Sequence, residues 1–419
     1  MAEESAPRAR AEQKPAEREP TGQSDHSAGI SAAEYDTRLH RVRERMATQG
    51  LGALLVCDPS NLYYLTGYNA WSFYTPQVLF VPADGDLIFF AREMDALGAH
   101  RTCWLPQQNI YGYPEGYVHR LDRHPFDWVA QVLLERGVVE RDAAVGIESD
   151  AHFFSPKAYL SLVAALPQWH FVDSIELVNW VRLVKSSTEI DLMRNAAVVT
   201  TAAMNAAFEH VRVGARQCDV AAAIGSAQFS GTADVAGDYP AIVPMLPTGE
   251  AAGTPHLTWS QQRFVDDEAV VVELAGAHRR YHVPLARTIM LGTPSLPLLN
   301  VVAAAGEGIS AVLDTARAGV RARDLAFVWD EIIAGYGVAK SSRIGYSIGI
   351  GYPPDWGERT VSLRTEDDTV LEENMTFHLI CGMWMDGYGY EISEPLRITS
   401  TGVETFTSVP RELIEGTRA

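Results

Sequence analysis

The segment "VVVELAGAHRRYHVPLARTIM", residues 270–290, places a charged side chain in an otherwise apolar strand. Its two apolar runs flank a short turn, which predicts a β-hairpin. Glu273 follows three consecutive valines, so its side chain starts from a buried strand. An ionised carboxylate is costly in such a place unless it has a partner. The hairpin therefore predicts either a structural ion pair, for which Arg287 is available, or a positively charged ligand.

The composition limits the class of protein. A chain of 419 residues predicts more than one domain, and its 47% hydrophobic content is that of a globular protein. No apolar run approaches the roughly 18 residues that a membrane span needs. The 53 acidic and 34 basic residues give a net charge of −19, which argues against nucleic-acid binding. The 4 cysteines form no CxxC pair, which argues against a zinc ribbon and indicates a reducing cytoplasm.

The chain divides into three parts. Residues 1–30 are charged and rich in Ala, Pro and Glu, which predicts a disordered tail. Residues 31–182 alternate short apolar runs with helical stretches, which is typical of an α/β domain. Residues 183–419 begin with helices and continue into long hairpin-forming strands, which predicts an α+β layer. Ser186 and Glu189 have the spacing of a capping box, so a long helix is expected at this boundary.

The periodicity of the apolar residues also predicts the individual elements. Strands are expected at 51–57, 75–82, 86–92, 143–149, 240–247, 269–275, 281–291, 375–381 and 388–399. Helices are expected at 32–49, 124–137, 296–317 and 322–335. The tripeptide "WGE" at 356–358 follows "YPPD" and is interpreted as a loop at the rim.

Several segments, in their order and spacing, resemble the creatinase and methionine aminopeptidase, or pita-bread, superfamily over nearly the whole chain. They are "RLVKSSTEIDLMRNAA" (182–197), "TPHLTW" (254–259), "LART" (285–288), "GYSIGIGYPP" (345–354), "LEENMTFHLI" (371–380) and "SEPLRITSTGVETF" (393–406). The resemblance implies an α+β fold of two domains. A creatinase-like α/β N-terminal domain would precede a C-terminal pita-bread domain.

The resemblance also exposes a departure in the metal site. Peptidases of this superfamily hold two metal ions with two aspartates, a histidine and two glutamates. The corresponding positions here are Glu273, Pro284, Tyr346, Ile380 and Glu394. Proline, tyrosine and isoleucine cannot supply the oxygen or imidazole ligands that such a centre requires. We therefore expect no metal and no other cofactor, and a cationic substrate in the place of the metals.

Within the superfamily the chain resembles the ectoine hydrolases. The segments that carry this resemblance are "GYNAWSFYTPQ" (67–77), "GYPEGY" (112–117), "YPAIVPMLPTGE" (239–250), "ELAGAHRRYH" (273–282) and "FHLICGMWMDGYGYE" (377–391). The resemblance implies ectoine, a cyclic amidine with a carboxylate, as the substrate and leaves 5-hydroxyectoine as a second candidate. The product would be an N-acetyl-diaminobutyrate. A protonated amidine suits a buried carboxylate and aromatic faces.

Three residues are candidates for catalysis. Glu273 could deprotonate a water aimed at the amidine carbon, or it could bond to that carbon itself, and both routes stay open. His256, in "TPHLTW", matches the histidine that creatinase-like enzymes place over the substrate, and it could protonate the departing nitrogen. Glu394 could hold an amidine N–H, with a structural role as the alternative.

Other side chains are candidates for substrate binding. In the aromatic cluster of Tyr68, Trp71, Phe73 and Tyr74, we expect Trp71 and Phe73 to form a cation-facing wall and the others to be mostly core. Creatinase-like proteins form homodimers in which the N-terminal domain reaches the partner's pocket, so this wall could act in trans. The resemblance therefore implies a homodimer.

Strand alternation adds further binding candidates. His282 shares the face of Pro284, and His378 shares the face of Ile380. Each histidine could contact substrate or be a satisfied core residue, and the same two alternatives apply to Tyr346. The substrate carboxylate needs a cationic partner. The unranked candidates for this role are Arg279, Arg280 and Arg343.

Three other functions are compatible with parts of the sequence. The first is a metal-free amidinohydrolase acting on creatine or another guanidinium compound. The second is an Xaa-Pro dipeptidase or a metal-dependent lyase, which would need the ligands that Pro284, Tyr346 and Ile380 have replaced. The third is a binding module that keeps the pita-bread fold without catalysis.

Overall fold

The computed structural model describes residues 29–138 and 142–416. The predicted tail at 1–30 lies outside the described residues except for Gly29 and Ile30. Ile30 packs against an apolar core that the first and second parts of the chain share. The described residues form a mixed helix and sheet structure, so the predicted α+β class is confirmed.

The first part of the chain is an α/β layer. Its elements are α1 (Ala32–Thr48), β1 (Ala53–Val56), α2 (Pro59–Thr66), β2 (Val78–Pro82), β3 (Ile88–Arg92), α3 (Glu93–Thr102), β4 (Ile110–Tyr113), α4 (Pro125–Glu135), β5 (Ala144–Ile147), α5 (Pro156–Ala165), β6 (His170–Asp173) and α6 (Leu177–Arg182). The strands form one sheet of 6 strands in the order β4-β3-β2-β1-β5-β6. The predicted strands of this domain are all present, although each is shorter than expected.

The second part contains the larger sheet. Its elements are α7 (Ser187–His210), α8 (Gln217–Ser230), β7 (Glu268–His278), β8 (Tyr281–Leu291), α9 (Leu296–Thr315), α10 (Ala322–Gly335), β9 (Gly345–Tyr352), β10 (Asp355–Ser362), β11 (Thr376–Ile380), β12 (Met383–Met385), β13 (Tyr388–Tyr390), β14 (Ser393–Ile398), β15 (Val403–Thr405) and β16 (Ile414–Glu415). The sheet runs β15-β14-β11-β9-β8-β16, with β7 on β8 and β10 on β9.

Helix α7 begins at the predicted capping box. The Ser186 side chain accepts from the Glu189 N–H, and the Glu189 side chain accepts from the Ser186 N–H. The helix then packs closely on β7, because Gly276 has no side chain. A Cβ at Gly276 would lie 2.2 Å from the backbone nitrogen of Thr200, so only glycine allows this approach. The contact fixes the strand that carries Glu273 against a rigid helix.

The β7–β8 hairpin has two distinct faces. Its outer face packs against α7 and α8 through Val272, Leu274 and Leu285. Its inner face carries Glu273, which is paired with Ala286 across the two strands. The predicted hairpin and its buried carboxylate are therefore confirmed.

Two local predictions are wrong. Residues 240–247 form no strand, because prolines at 240, 244 and 247 remove ladder donors; only Met245 pairs, in an isolated bridge with Glu273. The segment 356–358 is not a rim loop, since it lies in β10 with Trp356 and Glu358 both 1% exposed.

Helix α9 has the length and composition of a membrane-spanning helix. Its Val301, Ala305 and Ile309 are fully buried in the core that it shares with α10 and the larger sheet. The same pattern of apolar residues is found in core helices, and α9 is packed as one of them.

Candidate active site

Glu273 is a buried carboxylate without a protein partner. It is 6% exposed, and among the described residues no side chain or backbone group donates a hydrogen bond to its carboxylate or forms an ion pair with it. Burial, and secondly the nearby Glu391 carboxylate, raise the pKa of Glu273 well above its usual range. A group in this state is stabilised by a cationic ligand or by a proton.

The structural ion pair considered for Glu273 does not form. Arg287 lies on the outer face of β8, where its Nη2 donates to Glu394 Oε1 at 2.7 Å. Its other N–H groups donate to backbone carbonyls, including those of Ser393 and Pro410. The alternative in which Arg287 neutralises Glu273 is therefore wrong.

A second buried carboxylate, Glu391, lies on the same inner face. The Glu391 N–H donates to Thr288 Oγ1 at 2.8 Å, and Thr288 pairs with Val271, two residues from Glu273. Glu391 is 3% exposed, and its Oε1 has no hydrogen-bond partner among the described residues. Burial raises the pKa of Glu391 to about 7, against the opposing charge of Lys340. The two carboxylates interact, because each makes ionisation of the other less favourable.

A chain of hydrogen bonds crosses the inner face beside these carboxylates. Trp356 Nε1–H donates to Tyr346 Oη at 2.8 Å, and Tyr346 Oη lies 3.0 Å from His378 Nδ1. His378 Nε2 lies 2.8 Å from Ser393 Oγ, which accepts from the Ala286 N–H at 2.7 Å. Burial lowers the pKa of His378 to about 3, so its imidazole is neutral at physiological pH.

This chain allows two arrangements of its protons. In the first, the Tyr346 hydroxyl donates to His378, which donates to Ser393. In the second, Ser393 donates to His378 and His378 donates to Tyr346, whose own hydroxyl proton is then free. Burial, and secondly the nearby Glu273 carboxylate, raise the pKa of Tyr346. The second arrangement therefore offers a hydroxyl donor next to Glu273.

His282 has a structural role. Its Nε2 accepts from the Ala241 N–H at 2.9 Å, so its Nδ1 carries the proton that bonds Arg280 O at 2.9 Å. Burial lowers the pKa of His282 well below its usual range. Both ring nitrogens are used, so of the two roles considered for His282 the structure favours the satisfied core histidine.

The aromatic candidates separate into core and surface. Tyr68 is buried in the first domain, where its hydroxyl bonds Ser72 Oγ at 2.5 Å, so its predicted contact with substrate is not supported. Trp71 is 59% exposed, and its ring lies 5.0 Å from Phe73 and 4.9 Å from Tyr239. Tyr239 immediately precedes the segment that binds His282. Trp71 and Phe73 therefore adjoin the second domain, as a wall would require.

The three arginine candidates differ in their freedom. Arg280 is fully buried and donates to Tyr239 O at 2.6 Å and Gly351 O at 2.7 Å. Arg279 is exposed in the turn of the β7–β8 hairpin. Arg343 is exposed and lies with its guanidinium 4.5 Å from the centre of the Tyr346 ring, held by one bond of 3.0 Å to Ser362 Oγ. Arg343 is thus the arginine with free donors nearest the inner-face cluster.

His256 lies in an exposed loop outside this cluster. The loop is tied to the segment beside Glu273, because the Leu246 N–H donates to Leu257 O at 3.1 Å and the adjacent Met245 pairs with Glu273. His256 itself has a left-handed backbone with φ of 64°. In the described structure its imidazole makes no hydrogen bond with another residue.

Two models of known families match this sequence. Residues 38–184 match the creatinase/prolidase N-terminal domain, and residues 191–400 match metallopeptidase family M24. The chain belongs to metallopeptidase family M24.

Curated M24 relatives cover the chain almost completely. An ectoine hydrolase of Halomonas elongata is 43% identical over 92% of this chain and 98% of its own length. An uncharacterised hydrolase/peptidase of Sinorhizobium fredii is 41% identical over the same shares. The prolidase structure from Thermococcus sibiricus superposes with a TM-score of 0.80 at 18% identity, covering 92% of this chain and 100% of the other, and shows the fold. The family match and the ectoine hydrolase relative show that this chain is a hydrolase that acts on carbon–nitrogen bonds.

The described residues do not fit the two-metal centre that the M24 family name implies. Pro284 and Ile380 have no donor atom, and both nitrogens of His378 are hydrogen-bonded within the protein. Over residues 29–138 and 142–416 there is no group of three or more His, Cys, Asp or Glu side chains that could hold a metal ion.

Glu394 is not brought together with Glu273. It pairs with Leu379 across β14 and β11, on the outer face, and bonds Arg287 there. The predicted catalytic position of Glu394 is therefore corrected to a structural one, because its neighbour Ser393 occupies the inner face instead.

Sequence reasoning missed Glu391, Ser393 and Trp356. A signal for two of them existed in "EISE" (391–394). Strand alternation puts the first and third residues of this tetrapeptide on one face and Glu394 on the other. Trp356 had no local signal.

Proposed function

We propose that this M24 chain hydrolyses ectoine to an N-acetyl-diaminobutyrate, without a metal ion. The observation that carries the proposal is Glu273, a buried carboxylate without a protein partner on the inner face of the sheet. An amidinium would pair with it, lower its raised pKa and keep it ionised. The name of the 43% identical relative supports ectoine as the source of that cation.

The chemistry follows from the groups around Glu273. The amidine carbon must bond to oxygen while one ring nitrogen leaves. Glu273 acts either as nucleophile on that carbon or as the base that deprotonates the attacking water. Tyr346, which accepts from His378 in the second arrangement, donates a hydrogen bond from its hydroxyl to the substrate beside Glu273. His256 exchanges protons with solvent from its loop, and Trp71 and Phe73 cover the cation.

Proton NMR of ectoine tests this function directly. The protein is treated with EDTA, assayed for metal and incubated with ectoine. The expected result is loss of the ring signals and growth of an acetamide methyl signal. Intact ectoine would overturn the proposed substrate. Activity that appears only after a divalent metal is added would overturn metal independence, and activity on creatine alone would favour a guanidinium substrate.

Arg343 is proposed to bind the substrate carboxylate, which gives a first prediction. Arg343→Gln is expected to raise the KM for ectoine by about 10- to 100-fold, because one charge-assisted hydrogen-bond pair is lost, with a smaller change in kcat. Arg279→Gln, a second exposed arginine in the hairpin turn, is the matched control and is expected to leave KM unchanged. Equal KM values for both variants would remove Arg343 from the binding site.

His256 gives a second prediction. His256→Asn keeps a residue that tolerates the left-handed backbone but cannot exchange protons. A kcat lower by about 100-fold is expected, with unchanged thermal stability because the residue is exposed. Thr258→Ala in the same exposed loop is the control. A His256→Asn variant with wild-type kcat across pH 6–9 would show that the loop histidine takes no part.

We also propose that the protein is a cytoplasmic homodimer whose N-terminal domain helps to close the partner's pocket. The exposed Trp71 ring at the edge of the first domain supports this arrangement. Light scattering of the purified chain measures the oligomeric state, and a monomer with full activity would exclude it.

A further inference from the structure

The buried carboxylate Glu391 has no role in the reaction as proposed above. It lies on the same inner face as Glu273, within electrostatic reach of it. Its backbone is fixed by two hydrogen bonds with Thr288, in which the Glu391 N–H donates to Oγ1 at 2.8 Å and the Thr288 hydroxyl donates to Glu391 O at 3.0 Å. These bonds fix the backbone of Glu391 between β13 and β14, beside the inner face of β8.

A structural explanation does not account for Glu391. Buried carboxylates that stabilise a fold accept hydrogen bonds, as Glu148 does from the N–H groups of Cys57 and Asp58 and from the Asn61 amide. Glu391 Oε1 has no such donor among the described residues. An apolar residue would fill the same space at a lower cost in folding free energy. The buried Glu391 carboxylate therefore lowers the free energy of unfolding relative to an apolar residue at the same position.

The surroundings of Glu391 favour a single proton shared between two carboxylates. The charged and titratable groups that face it are Glu273 on β7, Lys340 after α10 and Cys381 after β11. Lys340 donates to Gly382 O at 2.5 Å and lies 4.0 Å from the Trp384 ring, and among the described residues no hydrogen bond joins it to Glu391, although its charge opposes the rise in the Glu391 pKa. Tyr346 also lies within electrostatic reach of Glu273. Because the two carboxylates act on each other electrostatically, ionisation of one makes ionisation of the other less favourable.

We infer that Glu391 is the general acid that protonates the departing ring nitrogen. This inference rests on the proposed function. When the amidinium binds beside Glu273, its positive charge lowers the pKa of Glu273, so Glu273 ionises and Glu391 keeps the proton. The Glu391 O–H bond breaks as its proton moves to the nitrogen, and the C–N bond breaks with its electron pair left on that nitrogen. Glu391 is reprotonated by the proton that the hydrolytic water loses.

The proton balance is the same for both routes open to Glu273. Overall an amidinium and one water give an amide and an ammonium group. One water proton reaches the nitrogen by way of Glu391, and the second reaches the released amine when the carbonyl forms. The remaining role for His256, in the exposed loop, is to exchange protons between the product and solvent.

The test compares Glu391→Gln with the wild type in the ectoine NMR assay across pH 5–9. The wild type is expected to show a bell-shaped kcat/KM, because Glu273 must be ionised and Glu391 protonated. Glu391→Gln is expected to lower kcat by about 100-fold or more, to change KM little, and to lose the fall in rate at high pH. Glu148→Gln is the matched control, since Glu148 is also buried with a pKa raised to about 7 but lies in the first domain.

Each outcome is decisive for one of the two claims. If the wild type leaves ectoine intact, the proposed function fails. If the wild type turns over ectoine and Glu391→Gln keeps wild-type kcat and the high-pH fall, Glu391 is not the acid although the function stands. If Glu391→Gln does not fold, the wild-type profile decides: a rate that stays flat up to pH 9 overturns the inference, and a fall above neutrality supports it.

Discussion

Glu273→Gln is expected to abolish ectoine turnover, lowering kcat by about 10⁴-fold, while the protein stays folded. The amide is nearly isosteric with the carboxylate but is neither basic nor appreciably nucleophilic. It also cannot form the ion pair with the amidinium. The NMR assay gives the rate, and circular dichroism verifies the fold. A folded variant with substantial activity would remove Glu273 from the mechanism on both routes.

The same substitution is expected to stabilise the free protein at alkaline pH. The raised pKa of Glu273 means that the folded protein binds more protons than the unfolded chain between the ordinary carboxyl range and the raised value. The stability that this proton confers is complete below the pKa that Glu273 has in the unfolded chain. It is lost as the pH rises through the pKa that Glu273 has in the folded protein. Glutamine has no such dependence. Its Tm should exceed that of the wild type at pH 8 and match it near pH 4.

Thermal unfolding without substrate separates this expectation from its opposite. If the wild type were the more stable protein at pH 8, Glu273 would be a paired, stabilising carboxylate and not a group held for a ligand. Addition of ectoine to the inactive variant gives a further measure, because ligand binding raises Tm by mass action. If ectoine raises the Tm of Glu273→Gln less than it raises the Tm of other folded variants, the difference reflects the lost ion pair between Glu273 and the amidinium.

The parts of the site that could be predicted from sequence are those fixed by strand geometry. Glu273 was identified because a carboxylate after three valines has one local explanation, a buried strand. Alternation also placed His378 on the face that meets Tyr346. Glu394 was misplaced because it was matched to the family motif by residue identity. A one-residue offset in a strand moves a side chain to the opposite face.

Other parts depended on contacts distant in sequence. The tripeptide at 356–358 follows two prolines and an aspartate, which favour a turn, yet Trp356 is buried because it reaches Tyr346 across β9 and β10. The role of His282 likewise depends on the Ala241 N–H, 41 residues away. No local pattern specifies such partners.

The largest effect on stability is expected at the junction of the two domains. Lys185 lies between α6 and α7, and its Nζ is 2.6 Å from Glu358 Oε2 with both side chains 1% exposed. Burial lowers the pKa of Lys185 and raises the pKa of Glu358, and each charge is retained because of the other. Lys185→Met leaves Glu358 buried and uncompensated, which is expected to cost about 3–5 kcal/mol of unfolding free energy. Denaturant unfolding measures this change.

The double variant Lys185→Met/Glu358→Met distinguishes the pair from simple packing. Replacing both charges by apolar groups removes the uncompensated charge, so stability should return most of the way to the wild type. We expect kcat to change in the same direction as stability. Glu358 lies two residues after Trp356, whose indole donates to Tyr346, so a disturbance at Glu358 reaches the site. A lower kcat in the single variant and recovery in the double variant are expected. A double variant as unstable as Lys185→Met would mean that the junction depends on the lysine stem and its bond to Leu183 O, and not on the charge of Glu358.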